Sequence, residues 1–305
     1  MQSSSMEMIT AIKQHLKQSF SFIGKTVDEI RSEETAALNA LPKPSGVVTE
    51  QVTIGNMKAE WVRSEHVPEG DSETILYFHG GAFISGSCDT HRDLVARISR
   101  FANTKVLVIE YRLAPEHRYP AANEDCLEAY RWLIDKGISN KKIILGGDSV
   151  GGCLALMTLL TLRDKGDPLP AGAFCLSPHT DFLHFDSESY ITRSEFDPLG
   201  SLASSRLCAD YYLGSIMPKP EIMSPLYQNL HGLPPLFIQV GDHEVLLDEC
   251  VRFADKAKAA GVDVTLEKWE HMWCVFQQLA GILPEGEQAL EHIGLFVKSG
   301  LQGAK

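Results

Sequence analysis

The sequence contains Gly147-Asp148-Ser149-Val150-Gly151, set between a short apolar run at 143–145 and a helical run at 153–163. A G-x-S-x-G at a strand-to-helix junction puts the serine on a strained turn, with the glycines allowing backbone to approach closely. That hydroxyl is a candidate nucleophile for acyl transfer, at a helix N-terminus that favours developing negative charge. A phosphate-binding turn is the competing reading, but no Gly-Lys-Ser/Thr follows the glycines.

Acyl transfer also needs donors for an oxyanion, and rigid backbone N–H groups supply them without reorganising. His79-Gly80-Gly81-Ala82-Phe83 follows another apolar run, 75–78, and lies seventy residues before the serine motif. Gly80 and Gly81, with the N–H of Val150, are therefore the expected oxyanion donors. His79 reads as a structural residue.

A serine nucleophile needs a base, and the base needs a carboxylate to orient it. Gly241-Asp242-His243-Glu244, continuing to Asp248-Glu249, follows the apolar run 236–240 and offers four acids, some of which must simply cap the next helix. His271, in Trp269-Glu270-His271-Met272-Trp273, comes next and completes the order Ser, acid, His. A helix is expected over 274–282. His179, Asp181 and His184 form a weak metal-like grouping, and no metal or cofactor is expected.

The elements that must hold these residues follow from the hydrophobic pattern. Short apolar runs at 75–78, 106–111, 143–145, 173–176, 236–240 and 264–269 alternate with helix-length stretches. Strands so continuous in hydrophobicity imply a mostly parallel sheet covered on both faces. Ahead of them, 47–54 and 58–63 alternate as antiparallel strands would. Residues 7–41, with Met8, Ile12, Leu16 and Phe20 at helical spacing, end at Pro42-Lys43-Pro44. Almost sixty residues separate the runs near 177 and 236, too many for a plain loop. The expected organisation is an N-terminal part of a cap at 1–45, a catalytic core at 46–180 and 224–305, and a cap insertion at 181–223.

With these motifs in order, the sequence resembles the hormone-sensitive-lipase-like esterases, or bacterial family IV. The resemblance covers nearly all of 45–300 and rests on H-G-G-A-F at 79–83, Y-R-L-A-P-E-H-R-Y-P-A-A at 111–122, G-D-S-V-G-G at 147–152, D-H-E-V-L-L-D-E at 242–249 and E-H-M-W at 270–273. It implies the α/β-hydrolase fold with a helical cap, a homodimer, and a carboxylesterase acting on short- to medium-chain acyl esters. By position it places the triad acid on Glu244, with Asp242 as runner-up, beside Ser149 and His271. Glu116 and Arg118 would tie the loop beneath the site. Three departures stand out: Ala82 for a third glycine, the bulkier Val150 beside the nucleophile, and Cys274 where related sequences often carry histidine.

Bulk properties agree with that class. The 305 residues carry a net charge of −12, without the basic face a nucleic-acid partner needs. No apolar run approaches the roughly 18 residues of a membrane span. Seven cysteines, odd in number and without a C-x-x-C pair, suggest reduced thiols and a cytoplasmic protein. The expected partners are a small ester and water. Lactone hydrolysis or N-acetyl deacetylation with the same triad is the alternative, and a ligand receptor lacking the base is the reading from another class.

Overall fold

The computed structural model describes residues 2–19, 21–68 and 73–302. Met1 and Phe20, the last of the helically spaced apolar series, lie outside them.

Among the described residues eight strands form one sheet, in which, counted along the chain, the third and fourth exchange places and the others run in sequence order. These are β1 (Val47–Ile54), β2 (Met57–Ser64), β3 (Thr74–Phe78), β4 (Lys105–Ile109), β5 (Ile143–Asp148), β6 (Gly172–Leu176), β7 (Leu236–Gly241) and β8 (Val264–Trp269). β1 and β2 pair antiparallel, as does β2 with β4, and every pair from β4 through β8 is parallel. Every residue of β3, β5, β6 and β7 is buried. Covering both faces requires that continuous apolarity.

Helices α3 (Cys88–Ala102) and α9 (Pro284–Gln302) cover one face, burying Leu94, Val95, Ile98, Ile293 and Val297 against Ile75, Val106 and Phe237. The other face is covered by α4 (Ala121–Asp135), α5 (Val150–Lys165) and α8 (Leu247–Ala259), through Cys126, Leu133, Leu154, Leu156 and Phe253. Parallel strands direct all their C-terminal ends to one edge. The loops bearing His79, Ser149, Glu244 and His271 all leave that edge.

The chain before β1 forms α1 (Gln2–Ser19) and α2 (Val27–Asn39). A Thr26–Glu29 capping box starts α2. Its Arg31 then donates to the carbonyls of Ile84 and Ala114, at 2.6 and 3.0 Å, and forks onto Glu116 with two bonds of 2.8 Å. Glu116 thus ties the Y-R-L-A-P-E-H loop to α2, and that pairing holds its carboxyl down at about 2. Glu34 accepts from the Gly86 N–H at 3.1 Å. Arg31→Ala is expected to lower stability by roughly 2 kcal/mol, because charge-assisted bonds to two carbonyls are lost with the ion pair. Thermal unfolding and proteolysis of residues 20–40 would check this, and an unchanged melting temperature would contradict it.

Between β6 and β7 lie α6 (Ser189–Thr192), α7 (Leu202–Leu213) and short 3₁₀ turns. They pack on the core through Phe182, Tyr190, Tyr212 and Met223. The Tyr212 ring stacks on Phe83 of the glycine loop at 4.1 Å.

Candidate active site

Ser149 sits where β5 turns into α5, at φ 53° and ψ −119°. Its N–H donates to the Leu176 carbonyl at 2.8 Å. Such a backbone costs about 1–3 kcal/mol and persists only where its surroundings dictate it. Here they do: a Cβ on Gly147 would lie 2.4 Å from the Gly151 carbonyl, and one on Gly151 would lie 2.0 Å from the Phe78 carbonyl oxygen.

Asp148 anchors the elbow to the glycine loop. Wholly buried, it accepts from Tyr77 Oη at 2.8 Å and the Gly80 N–H at 3.0 Å, and faces His91 Nε2 at 3.4 Å. His91 and Tyr77 hold its carboxyl low against the desolvation that would raise it. His79 is buried, stacked on Tyr111 at 4.2 Å and bonded through Nδ1 to the Gly80 carbonyl at 2.7 Å. Desolvation, followed by the neighbouring His91, lowers its pKa to about 3.

This arrangement corrects one expectation. The Gly80 N–H is committed to Asp148, so it is not free for an oxyanion. Among the described residues, the N–H groups of Gly81, Ala82 and Val150 make no hydrogen bond within the chain. Gly81 at φ 107° and Ala82 at φ 57° turn the loop at that point. The motif pattern located the loop, but which of its N–H groups is spent on Asp148 depends on β3 and β5 lying side by side.

The four acids behind β7 separate clearly. Glu249 accepts from the Thr180 N–H at 2.6 Å and lies 2.9 Å from His179 Nδ1. Asp248 lies in the first turn of α8, 3.5 Å from Arg252. Glu244, wholly buried, accepts from Ser177 Oγ at 2.9 Å and from the Gly241 N–H, and the Cys274 thiol lies beside its carboxyl. Burial, then Asp197, pushes its pKa well up. Asp242 is partly exposed and accepts the His271 backbone N–H at 2.6 Å.

His271 stands with Asp242 rather than Glu244. Its ring packs edge-on against His243 at 5.3 Å, its Nε2 is 3.5 Å from Glu270, and 37% of its side chain is exposed. Among the described residues its imidazole makes no hydrogen bond to Glu244, and the Ser149 hydroxyl makes none to any histidine. The side chain that the segment after β8 brings to the buried acid is Cys274.

The segment after β8 explains this placement. The helix expected over 274–282 does not form. Val275 takes a left-handed φ of 55° and donates its N–H to Ser177 Oγ at 3.0 Å, and only a 3₁₀ turn (Phe276–Leu279) follows before α9. Ser177 is thus the hub between Glu244 and the Cys274–Val275 turn. Sequence reasoning missed it, and its one signal was a hydroxyl immediately after a buried strand.

Asp242, His243 and His271 have ligand atoms within 4.8 Å of one another and could bind a metal ion. The Lys13 ammonium of α1 already contacts His243 Nδ1 and puts a positive charge there. Of the grouping suggested by sequence, His184 bonds to Asp181, 3.1 Å away, whereas His179 faces Glu249.

The comparisons agree with this architecture. Residues 75–278 match the model of an α/β-hydrolase-fold family. An acetyl-hydrolase from Streptomyces hygroscopicus is 41% identical over 263 residues, 86% of each chain. An esterase from Acinetobacter venetianus is 38% identical over 81% of this chain and 82% of its own. A crystal structure of an esterase from the bacterial hormone-sensitive lipase family superposes with a TM-score of 0.91 at 40% identity, covering 96% of this chain and 98% of that one. The fold and site therefore define an α/β hydrolase. Within that class, the chain belongs to the bacterial hormone-sensitive-lipase family of esterases.

Proposed function

We propose that the protein hydrolyses carboxylic esters with short- to medium-chain acyl groups through an acyl-enzyme on Ser149. The observation that carries this reading is the strained Ser149 turn at the head of α5, beside three backbone N–H groups without internal acceptors. Ser149 Oγ attacks the ester carbonyl, and Gly81, Ala82 and Val150 receive the negative charge of the tetrahedral intermediate. The alcohol leaves, and water then cleaves the acyl–serine bond. Glu244 is the acid of the site, supported by its burial against Ser177 and Cys274. His271, the imidazole indicated by chain order, lies on the Asp242 side, so the base is the unfilled role.

Residues 1–45 and 181–223 are proposed to form a cap over the acyl pocket, supported by Arg31 on α2 and by the Tyr212–Phe83 stack. Val150, almost fully buried beside the nucleophile, argues for small acyl groups. An acetyl ester fits the same chemistry, and a similar protein is named an acetyl-hydrolase. A structure of EstE5, 40% identical, was soaked with p-nitrophenyl butyrate, which makes that ester a suitable probe. On p-nitrophenyl esters, kcat/KM for acetate and butyrate is expected to exceed that for palmitate by about tenfold or more, since a narrow pocket excludes longer chains at a cost of 1–3 kcal/mol. Equal rates on all three would refute the narrow pocket. Labelling of Ser149 by a fluorophosphonate tests the nucleophile itself.

No helix among the described residues is long and apolar enough to cross a membrane. A cytoplasmic setting is proposed from the seven free cysteines, six of them buried. The family resemblance implies a homodimer, which sedimentation would test.

A further inference from the structure

A proton acceptor serving Ser149 must touch both the serine hydroxyl and the acid that orients it. Three elements bracket that place. Ser149 is bonded through its N–H to Leu176, and the next residue, Ser177, bonds both Glu244 and the Val275 N–H. The side chain delivered there, beside Glu244, is the Cys274 thiol. A second observation points to the same place. Among the described residues Glu244 Oε2 is buried without a hydrogen-bond donor, although a carboxylate oxygen at this depth ordinarily has one. A thiol is a weak donor and covers less of that oxygen than an imidazole N–H would.

We infer that Cys274 fills the proton acceptor's place between Glu244 and Ser149, so that this serine site runs without a resident imidazole and gains one when position 274 becomes histidine. The inference rests on the acyl-transfer reading and specifies its third position. Burial, and then Glu244, raises the Cys274 pKa, and burial raises that of Glu244, so the pair favours its uncharged form. A neutral thiol accepts no proton from serine. In the native chain that proton passes to water or hydroxide as the Oγ–carbonyl bond forms, and the alcohol departs with a solvent proton. In Cys274→His, the imidazole takes the serine proton and passes it to the leaving alcohol. It then takes a proton from the attacking water and returns it to Ser149 as the acyl bond breaks.

The test measures p-nitrophenyl butyrate hydrolysis by the full chain and five variants. Cys274→His should raise kcat/KM by at least about tenfold, at the cautious end of general-base contributions. The gain should fall away as pH drops through an imidazole pKa, vanish on adding Glu244→Gln, and survive adding Asp242→Asn. His271→Ala in the native chain should stay within about threefold, a change worth roughly 0.65 kcal/mol. A folded Cys274→His variant with unchanged kcat/KM would overturn the inference, as would a hundredfold loss in His271→Ala. The second measurement decides the matter if Cys274→His does not fold, since His271→Ala alters only a partly exposed side chain. Failure of the underlying reading looks different: Ser149 would resist fluorophosphonate, and Ser149→Ala would hydrolyse the ester as the native chain does.

Discussion

Ser149→Ala is expected to cut kcat/KM on p-nitrophenyl butyrate by about 10²-fold or more, equivalent to at least roughly 2.7 kcal/mol of transition-state stabilisation. Without Oγ no acyl-enzyme forms, and the free N–H groups of Gly81, Ala82 and Val150 can assist only direct attack by water. With Cys274 in the base's place, as proposed, the expected loss is smaller than in a serine site with a complete triad, because members of such a unit act non-additively. The same substitution in the Cys274→His background should therefore cost more than in the native chain. The stability of the fold should stay level, since Ser149 contributes no side-chain cap to α5 and alanine keeps the same backbone strain. Steady-state rates and intact-mass labelling by a fluorophosphonate give the readout. A labelled, fully active Ser149→Ala protein would remove Ser149 from the mechanism.

The second large effect is structural. Gly151→Ala would place a methyl 2.0 Å from the Phe78 carbonyl oxygen and 2.6 Å from that of His79. Both are backbone atoms of the strand end that carries the glycine loop, so no flexible side chain can yield. Either α5 retreats from β3, or the glycine loop moves away from the elbow. Stability should fall by about 3 kcal/mol, the upper range for overpacking, and the surviving folded protein should lose at least about tenfold in kcat/KM as its donors shift. Gly137→Ala is the control. Its added Cβ would meet nothing within 4 Å, and only the left-handed backbone, at φ 84°, is strained. That costs roughly 1–2 kcal/mol with no change in turnover. Denaturant unfolding of both variants separates the two mechanisms, and a Gly151→Ala loss as small as the control would show that the elbow tolerates being opened.

The chemistry of both predictions traces back to one sheet edge. Two of the carboxyls buried there, Asp148 and Glu244, have different tasks. Asp148 binds a backbone N–H, a tyrosine and a histidine, and so stiffens the platform on which Ser149 sits. Glu244 holds Ser177 and Gly241 and faces a thiol, which leaves part of its bonding capacity unused. The glycine loop is thus held by a fully bonded carboxylate, whereas Glu244 keeps one oxygen without a donor.

Much of the architecture was readable without coordinates because it rests on local rules. The buried strands β3, β5, β6 and β7 announced themselves as short apolar runs, and Gly147-Asp148-Ser149-Val150-Gly151 and His79-Gly80-Gly81 marked the strand-to-helix turn and the glycine loop beside it. Three matters needed tertiary structure. The Gly80 N–H is spent on Asp148 because β3 and β5 are neighbours in the sheet, an adjacency that no window of sequence encodes. The chain after Trp269 bends at the left-handed Val275 in place of a helix because Ser177, almost a hundred residues earlier, accepts its N–H. That same bend turns Cys274 toward Glu244 and leaves His271 beside Asp242. Motif order names the residue types that a serine hydrolase requires, whereas which side chains meet depends on hydrogen bonds between strand ends brought together only by the folded sheet.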